Sequence, residues 1–314
     1  NDGLLEFDGS NWSLHLMPEN SVARSVASDG ANRIYVGSYE EFGFMERDSK
    51  GQLHYISLSD SVDNSELHND EIWRILIHDD KIYFQSFWRI FVYDGKSIEV
   101  IRPGRAIVLL MKARGRLFIH KVGCGIYELI ENRLVFMEGS EILADDEVKA
   151  FMPYGKSDFI VGAASGGLYI YRNKTFIPWG IDFAEEIANA EINAGLFING
   201  VYLIGTISGG VYTLDKNGNL INQLNASNYL STNTVQYMAA DKFNNVWLGL
   251  SSGLCYINMN ADLSFYTDPS GEIGAVYAAA VYRKKLYLGT NQGLFIMDFN
   301  NGSPDNLRMH EKIH

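Results

Sequence analysis

Cysteine is scarce in this chain: 314 residues carry two, Cys124 and Cys255. They have no metal-binding spacing and lie in different repeats, so neither a thiolate metal site nor a disulfide is expected. Long apolar runs are missing too. The stretch "AIVLLM", Ala106 to Met111, is strand-sized against the roughly 18 to 20 residues that cross a bilayer as a helix. No membrane insertion by this segment is therefore expected. Basic charge is in deficit, with 26 Lys and Arg against 38 Asp and Glu, a formal net charge of −12. A face that displaces counterions from a phosphate backbone needs the opposite sign. No nucleic-acid partner is expected of this segment.

Catalytic signatures are equally sparse. The seven histidines show no His-x-His or His-Glu-x-x-His spacing. There is no Gly-x-Ser-x-Gly elbow, no EF-hand loop and no Ser-x-Asp-x-Gly-x-Thr-Trp box. Glycoside hydrolysis needs two carboxylates at a fixed separation across a sugar. The acidic residues here, among them Glu40, Glu41, Asp70, Glu71, Asp145 and Asp146, fall in charge runs of turns and read as solvated surface. No catalytic residue, metal or cofactor is expected, and a polysaccharide-active enzyme is the weakest of the functional readings.

What the chain has is aromatic and apolar residues in a repeating order. Hydrophobic residues make up 46%, with 18 Tyr, 17 Phe and 5 Trp, a composition that favours strands and a substantial core. The hairpin "FIVGAASGGLYIYR" (Phe159 to Arg172) returns as "YLIGTISGGVYTLD" (Tyr202 to Asp215), "VWLGLSSGLCYINM" (Val246 to Met259) and "LYLGTNQGLFIMDF" (Leu286 to Phe299). Its first strand begins near Ile34, Ile82, Leu117, Phe159, Tyr202, Val246 and Leu286, at intervals of about 35 to 48 residues, the length of a propeller blade. The unit Thr234 to Tyr266 divides into strand A (Val235 to Ala240), B (Val246 to Leu250), C (Leu254 to Asn258) and D (Leu263 to Tyr266), separated by turn residues. No segment between units is long or periodic enough for a crossover helix, so neighbouring strands should be antiparallel. Such sheets bury both faces when arranged radially.

The expectation is an all-β protein: a seven-bladed β-propeller of four-stranded antiparallel blades, one domain over residues 1–314. Seven complete repeats occupy 21–314 and a partial repeat occupies 1–20. The partial unit, Gly3 to Leu16, supplies only C- and D-like strands. It is expected to close the ring as the outer strand of the last blade, whose own D strand after Phe299 reads weakly; the alternative is a remnant of an extra blade. Asn1 to Leu5 also resembles Asn291 to Phe295, the middle of a repeat, and the chain opens on Asn1. A piece of a longer protein is expected.

Four units carry Gly-x-x-x-Gly across the B–C turn: Gly162/Gly166, Gly205/Gly209, Gly249/Gly253 and Gly289/Gly293. The second glycine should take φ > 0 and the first should allow close backbone approach. The first three complete units break this turn. They read Gly37-Ser38-Tyr39-Glu40-Glu41-Phe42-Gly43, then Gln85-Ser86-Phe87-Trp88-Arg89, then His120-Lys121-Val122-Gly123-Cys124-Gly125. The units are consecutive, so these turns should cluster on one rim, where rings stack on a guest and polar groups orient it. The candidate ligand-binding residues are Tyr39, Glu40, Phe42, Phe87, Trp88, Arg89, His120 and Lys121. The competing reading packs Phe42, Phe87 and Trp88 against adjacent blades.

These repeats, with "VWLGLSSGL" the clearest copy, resemble the two-component regulator propeller repeat. The stretches "GLLEFDGSNW", "IYVGSYEEFGFMERDSKGQLHYISLSD" and "IYFQSFWRIFVYDG" are similar to large sensor-regulators of Bacteroidetes-type bacteria. The resemblance covers essentially the whole chain. It implies a periplasmic sensor region, often of two tandem propellers, followed by a three-tyrosine immunoglobulin-like domain and a membrane helix. Kinase, receiver and helix-turn-helix modules, or a simpler helix-turn-helix output, would lie beyond. It further implies an oligosaccharide or other small nutrient ligand, and homodimerisation through the parent protein. A structural propeller that docks a second propeller or another chain is the alternative.

Overall fold

The structure is a computed structural model that describes residues 3–259, 272–298 and 309–313. Two compact units divide the chain, one made of Asn1–Ala163 with Tyr169–Ile177, the other of Ala164–Leu168 with Pro178–His314.

In the first unit, β1 (Gly3–Phe7) and β2 (Trp12–Leu16) pair only with each other. Three four-stranded meanders follow. The first sheet is β3 (Ser25–Ser28), β4 (Arg33–Gly37), β5 (Phe42–Arg47) and β6 (Leu53–Ser57). The second is β7 (Arg74–His78), β8 (Lys81–Gln85), β9 (Ile90–Tyr93) and β10 (Ile98–Ile101). The third is β11 (Ile107–Ala113), β12 (Arg116–Lys121), β13 (Gly125–Ile130) and β14 (Arg133–Phe136). A fourth sheet runs from Val148–Tyr154 through Asp158–Ala163 and Gly167–Arg172 to Thr175–Pro178. Middle strands such as β8 and β9 are buried along nearly their whole length, because both faces meet other sheets; the outer β14 is mostly exposed.

The second unit holds a four-stranded sheet starting at Ile192–Ile198, a sheet of Val235–Ala240, Val246–Leu250 and Leu254–Ile257, and a last one of Val276–Tyr282, Lys285–Thr290, Gly293–Asp298 and Met309–Ile313. The fourth strand expected at Leu263 to Tyr266 lies outside the described residues. Among those residues the one α-helix is Ala184–Asn189. Six four-stranded antiparallel sheets and one of three strands thus follow the order the repeats predict. The outer place in the last sheet belongs to Met309–Ile313, which pairs with Gly293–Asp298. That corrects the expected role of the opening strands. Instead Leu4 and Met17 pack with Val36 and Met45 of the first sheet.

Two local devices recur among these sheets. Aspartates at hairpin starts accept the amides that follow: Asp94 from Lys96 and Ser97 (2.9 and 2.7 Å), Asp241 from Phe243 and Asn245 (2.8 and 2.9 Å). Five of the seven innermost strands carry a register shift near their start, at Ile107/Leu110, Val148/Ala150, Ile192/Ala194, Val235/Tyr237 and Val276/Ala278. A bulge leaves an amide outside the ladder. Leu110 gives its amide to the buried Gln85 side chain at 2.8 Å, joining the second sheet to the third.

The glycines follow the expected logic in part, with a shift at two of the four turns. A Cβ on Gly205 would stand 2.7 Å from Cγ1 of Val235 in the next sheet, the close approach predicted for first positions, whereas at Gly249 and Gly289 the nearest atoms are 3.7 Å away, in ordinary contact within their own sheets. Gly253 and Gly293 have positive φ, but in the two turns with paired glycines the left-handed residues are Gly167 (φ +83°) and Gly210 (φ +79°), not Gly166 and Gly209. With two glycines in sequence, the turn takes its left-handed step one residue later.

Candidate functional site at the irregular turns

The site is built where the B–C turns meet the connectors leading to the next sheet. After β4 the chain turns through Ser38 to Glu41, closed by Ser38 N–H to the Glu41 carbonyl at 2.8 Å, with Glu40 at φ +51°. The connector from β6 to β7 passes through two short 3₁₀ turns, Ser59–Ser61 and Asn64–Glu66. It then pairs with the turn: the Glu40 amide donates to the Asp70 carbonyl (2.9 Å) and Ile72 donates to Ser38 (3.0 Å), with Tyr39 opposite Glu71.

Asp70 is the pivot. Its side chain is almost fully enclosed, and its carboxylate accepts the amides of Phe87 (3.1 Å), Trp88 (3.3 Å) and Glu71 (2.9 Å). Oγ of buried Ser86 accepts the Trp88 and Arg89 amides from the other side, at 3.2 and 3.0 Å. The β8–β9 turn is thereby held with its two rings outward. Trp88 is 52% exposed and Phe87 44%; Tyr39 and Trp73 beside them are 48% and 40%. Trp73 meets Phe87 edge-on at 5.2 Å, Arg24 lies 5.5 Å from the Trp73 ring centre and 3.4 Å from Glu71, and the Tyr39 hydroxyl donates to Asn69 at 3.0 Å. Four large rings with amide and charged neighbours share one edge of the first unit.

Behind Glu40 lies a polar cleft of about 280 Å³, lined by Glu40, Glu41, Ser59, Asp60, Asn64 and His68 among others. One oxygen of Glu41 accepts the hydroxyls of Tyr55 (2.8 Å), Ser57 (2.9 Å) and Ser59 (2.6 Å). Burial, reinforced by Glu41, pushes the Tyr55 phenol far above its usual range. His68 sits 3.2 Å from Glu40. Among the described residues no group of three His, Cys, Asp or Glu is arranged to hold a metal ion.

The third turn joins by backbone alone. Ile107 donates to the Phe87 carbonyl (2.7 Å), Val122 to Ala106 (2.9 Å) and Gly123 to Ala144 (2.9 Å). Its side chains leave the rim. His120 is buried, 2.9 Å from the Leu143 carbonyl, so its Nε2 is the protonated nitrogen; burial lowers its pKa, and its Nδ1 has no partner. Lys121 lies over the Tyr127 ring at 4.3 Å.

The eight candidates therefore separate. Tyr39, Phe87 and Trp88 present rings outward, and Glu40 edges the cleft. Phe42 does not belong with them: it is fully buried, 4.6 Å from Phe84 and 4.9 Å from Phe91, the interblade packing of the competing reading. His120 is likewise interior. Arg89 is committed to Glu66 at 2.6 Å. Sequence reasoning missed Trp73 and Arg24, and it placed Asp70 on the surface. The signal for Trp73 was available: connectors share the B–C end of each sheet, so an aromatic just before strand A belongs to the same rim.

No family model matches the chain, and no curated protein matches it. Solved structures do. The extracellular domain of BT3049 from B. thetaiotaomicron, described as a hybrid two-component system, aligns with a TM-score of 0.63 at 18% identity over 99% of this chain and 45% of that one. This chain thus spans less than half of that domain. Streptogramin B lyase aligns at 0.55 with 7% identity, covering 87% and 92% of the two chains. YCF48 bound to D1 peptide aligns at 0.54 with 11% identity, covering 85% and 90%. At such identities the likeness is one of fold: the chain is a β-propeller.

Proposed function

We propose that this propeller is a non-enzymatic recognition domain from the extracytoplasmic part of a signal-transducing transcriptional regulator, and that its aromatic rim binds a carbohydrate. The observation that carries the reading is the exposed set of Tyr39, Trp73, Phe87 and Trp88, fixed from beneath by the buried Asp70 carboxylate. Holding rings in water has no value for the fold, whereas the flat faces of sugars stack on them. The sensor role is supported by the fold shared with the BT3049 extracellular domain. A glycan array followed by calorimetry tests the proposal, with Trp88→Ala and Trp73→Ala as variants. Binding of a saccharide that both variants weaken is expected. Equal affinity in wild type and variants removes the rim, and release of new reducing ends during incubation converts the reading to an enzyme.

A second reading is favoured by β1 and β2. Their register sets Leu5 opposite Leu14 and Phe7 opposite Trp12, and these four with Leu16 form one exposed apolar face. Phe7 and Trp12 stack at 4.6 Å. Such a face suits docking of another protein surface, and it leaves the rim free.

A further inference from the structure

A groove of about 490 Å³ lies between the second and third sheets, bounded by the end of β10 and by β12, β13 and β14. Its lining is unlike the rest of this acidic chain. Three cations, Arg102, Lys121 and Arg133, face one carboxylate, Glu99. Glu99 is already engaged, accepting from the Asn132 amide at 2.6 Å. Lys121 and Arg133 have no carboxylate within 4.0 Å among the described residues. Lys121 instead rests on the Tyr127 ring, a contact that keeps its ammonium in the groove without neutralising it. Arg102 and Arg89 share the single carboxylate of Glu66, so this trio carries one net positive charge. Through Glu66, the groove is mechanically joined to the turn that presents Phe87 and Trp88.

We infer that this groove receives the carboxylate or sulfate group of an acidic saccharide whose sugar rings stack on the rim. The inference rests on the carbohydrate reading above and narrows it to anionic glycans. Cations without counter-charges in a recess form charge-assisted hydrogen bonds with carboxylate or sulfate oxygens. Lys121, opposite Gly125, and Arg133, opposite Ile130, stand at the two ends of β13, so acidic groups spaced along one saccharide meet a point charge at one end and a planar fork at the other. A neutral saccharide gains none of this, which makes the groove a selectivity element.

The test is calorimetry on the full chain with trigalacturonate as the carboxylate probe, a sulfated disaccharide as the sulfate probe and maltotriose as the neutral one. Wild type, Lys121→Met, Arg133→Gln, the double variant and Trp88→Ala are compared at low and high ionic strength. An acidic probe should bind more tightly than maltotriose and weaken with salt. Each cation removed should cost about tenfold in its affinity, with maltotriose unaffected. The tighter acidic probe identifies the anion. If maltotriose binds in a Trp88-dependent manner and neither acidic probe binds more tightly, the groove inference fails and the rim stands. If an acidic probe binds through Lys121 and Arg133 while Trp88→Ala changes nothing, the rim reading fails and the groove stands. No binding of any probe overturns both.

Discussion

Oδ1 of Asp70 accepts the Phe87 amide at 3.1 Å, tying the connector after the first sheet to the exposed turn of the second. Trp88 donates to the other oxygen of the same carboxylate. Asp70→Ala leaves both amides without this acceptor, and a stranded donor costs about 1 to 3 kcal/mol. Asp70→Asn keeps one carbonyl acceptor and should lose less. The order wild type, Asn, Ala in urea midpoint is expected; identical midpoints for wild type and Ala would show that water replaces the carboxylate freely.

Aromatic truncation separates the rim from the core. Phe42 packs against Phe84 and Phe91 with no exposure, so Phe42→Ala should cost about 3 to 5 kcal/mol. Trp88→Ala and Tyr39→Ala remove rings that are half in water, and each should stay within about 0.5 kcal/mol of wild type. Denaturation of the three variants side by side decides it. A loss for Trp88→Ala as large as that for Phe42→Ala would place Trp88 in the core.

The repeats were legible because a blade is local physics: two apolar strands joined by a tight turn, with glycines in four of the seven units, recur at intervals of about 35 to 48 residues. Val235–Ala240 and Val246–Leu250 fall where the sequence puts them. Which side of a strand end a residue faces was not legible at the irregular turns. Phe42 and Phe87 are both aromatic residues of broken B–C turns, yet Phe42 begins β5 and points into the sheet stack while Phe87 sits inside a turn. Asp70 was misread for a related reason. Its neighbour Glu71 and the acidic connector suggest solvent, and only the tertiary approach of the Phe87–Trp88 amides makes an enclosed carboxylate worth its desolvation. The outer strand of the last sheet was likewise beyond local pattern, since Met309–Ile313 lies far from its partner's turn in sequence.

Glycine substitutions distinguish backbone strain from collision. Gly253 has φ +89°, and the nearest atom to an added Cβ is Oγ of Ser231 at 3.9 Å. Gly253→Ala should therefore cost only the left-handed penalty, about 1 to 2 kcal/mol. Gly210 has φ +79° and would set its Cβ 2.0 Å from the Leu224 carbonyl oxygen, part of the β ladder itself. Gly210→Ala should cost clearly more, seen as a lower Tm. Gly209 has no left-handed backbone, but its Cβ would meet the Tyr212 hydroxyl at 2.6 Å and Ala190 at 2.9 Å. Gly209→Ala should fall between the other two if the tyrosine yields. Equal losses at all three positions would mean that collision adds nothing to strain.

Acid should destabilise the chain in two stages, and one residue governs the first. Burial holds the pKa of His120 below its ordinary value of 6.5. The unfolded chain therefore binds a proton there more readily than the folded one. The stability that neutral His120 contributes is complete above about pH 6.5 and is lost as pH falls from there towards the folded pKa. The second stage belongs to carboxylates whose folded pKa is depressed. Glu66 is held down by hydrogen bonds from Arg102 and then Arg89, and Asp8 is held at about 2 by the amides of Asn11 and Ser10. Their contribution is present above the unfolded carboxylate pKa, near 4, and disappears as pH drops through the folded values. His120→Gln supplies a donor for the Leu143 carbonyl without a titrating ring. Its urea midpoint should therefore be flat between pH 7 and 5, where the wild type declines, with both falling together at lower pH. A wild-type midpoint that is itself flat over that interval would show that protonated His120 is accommodated by the charges of Asp146 and Glu147 nearby.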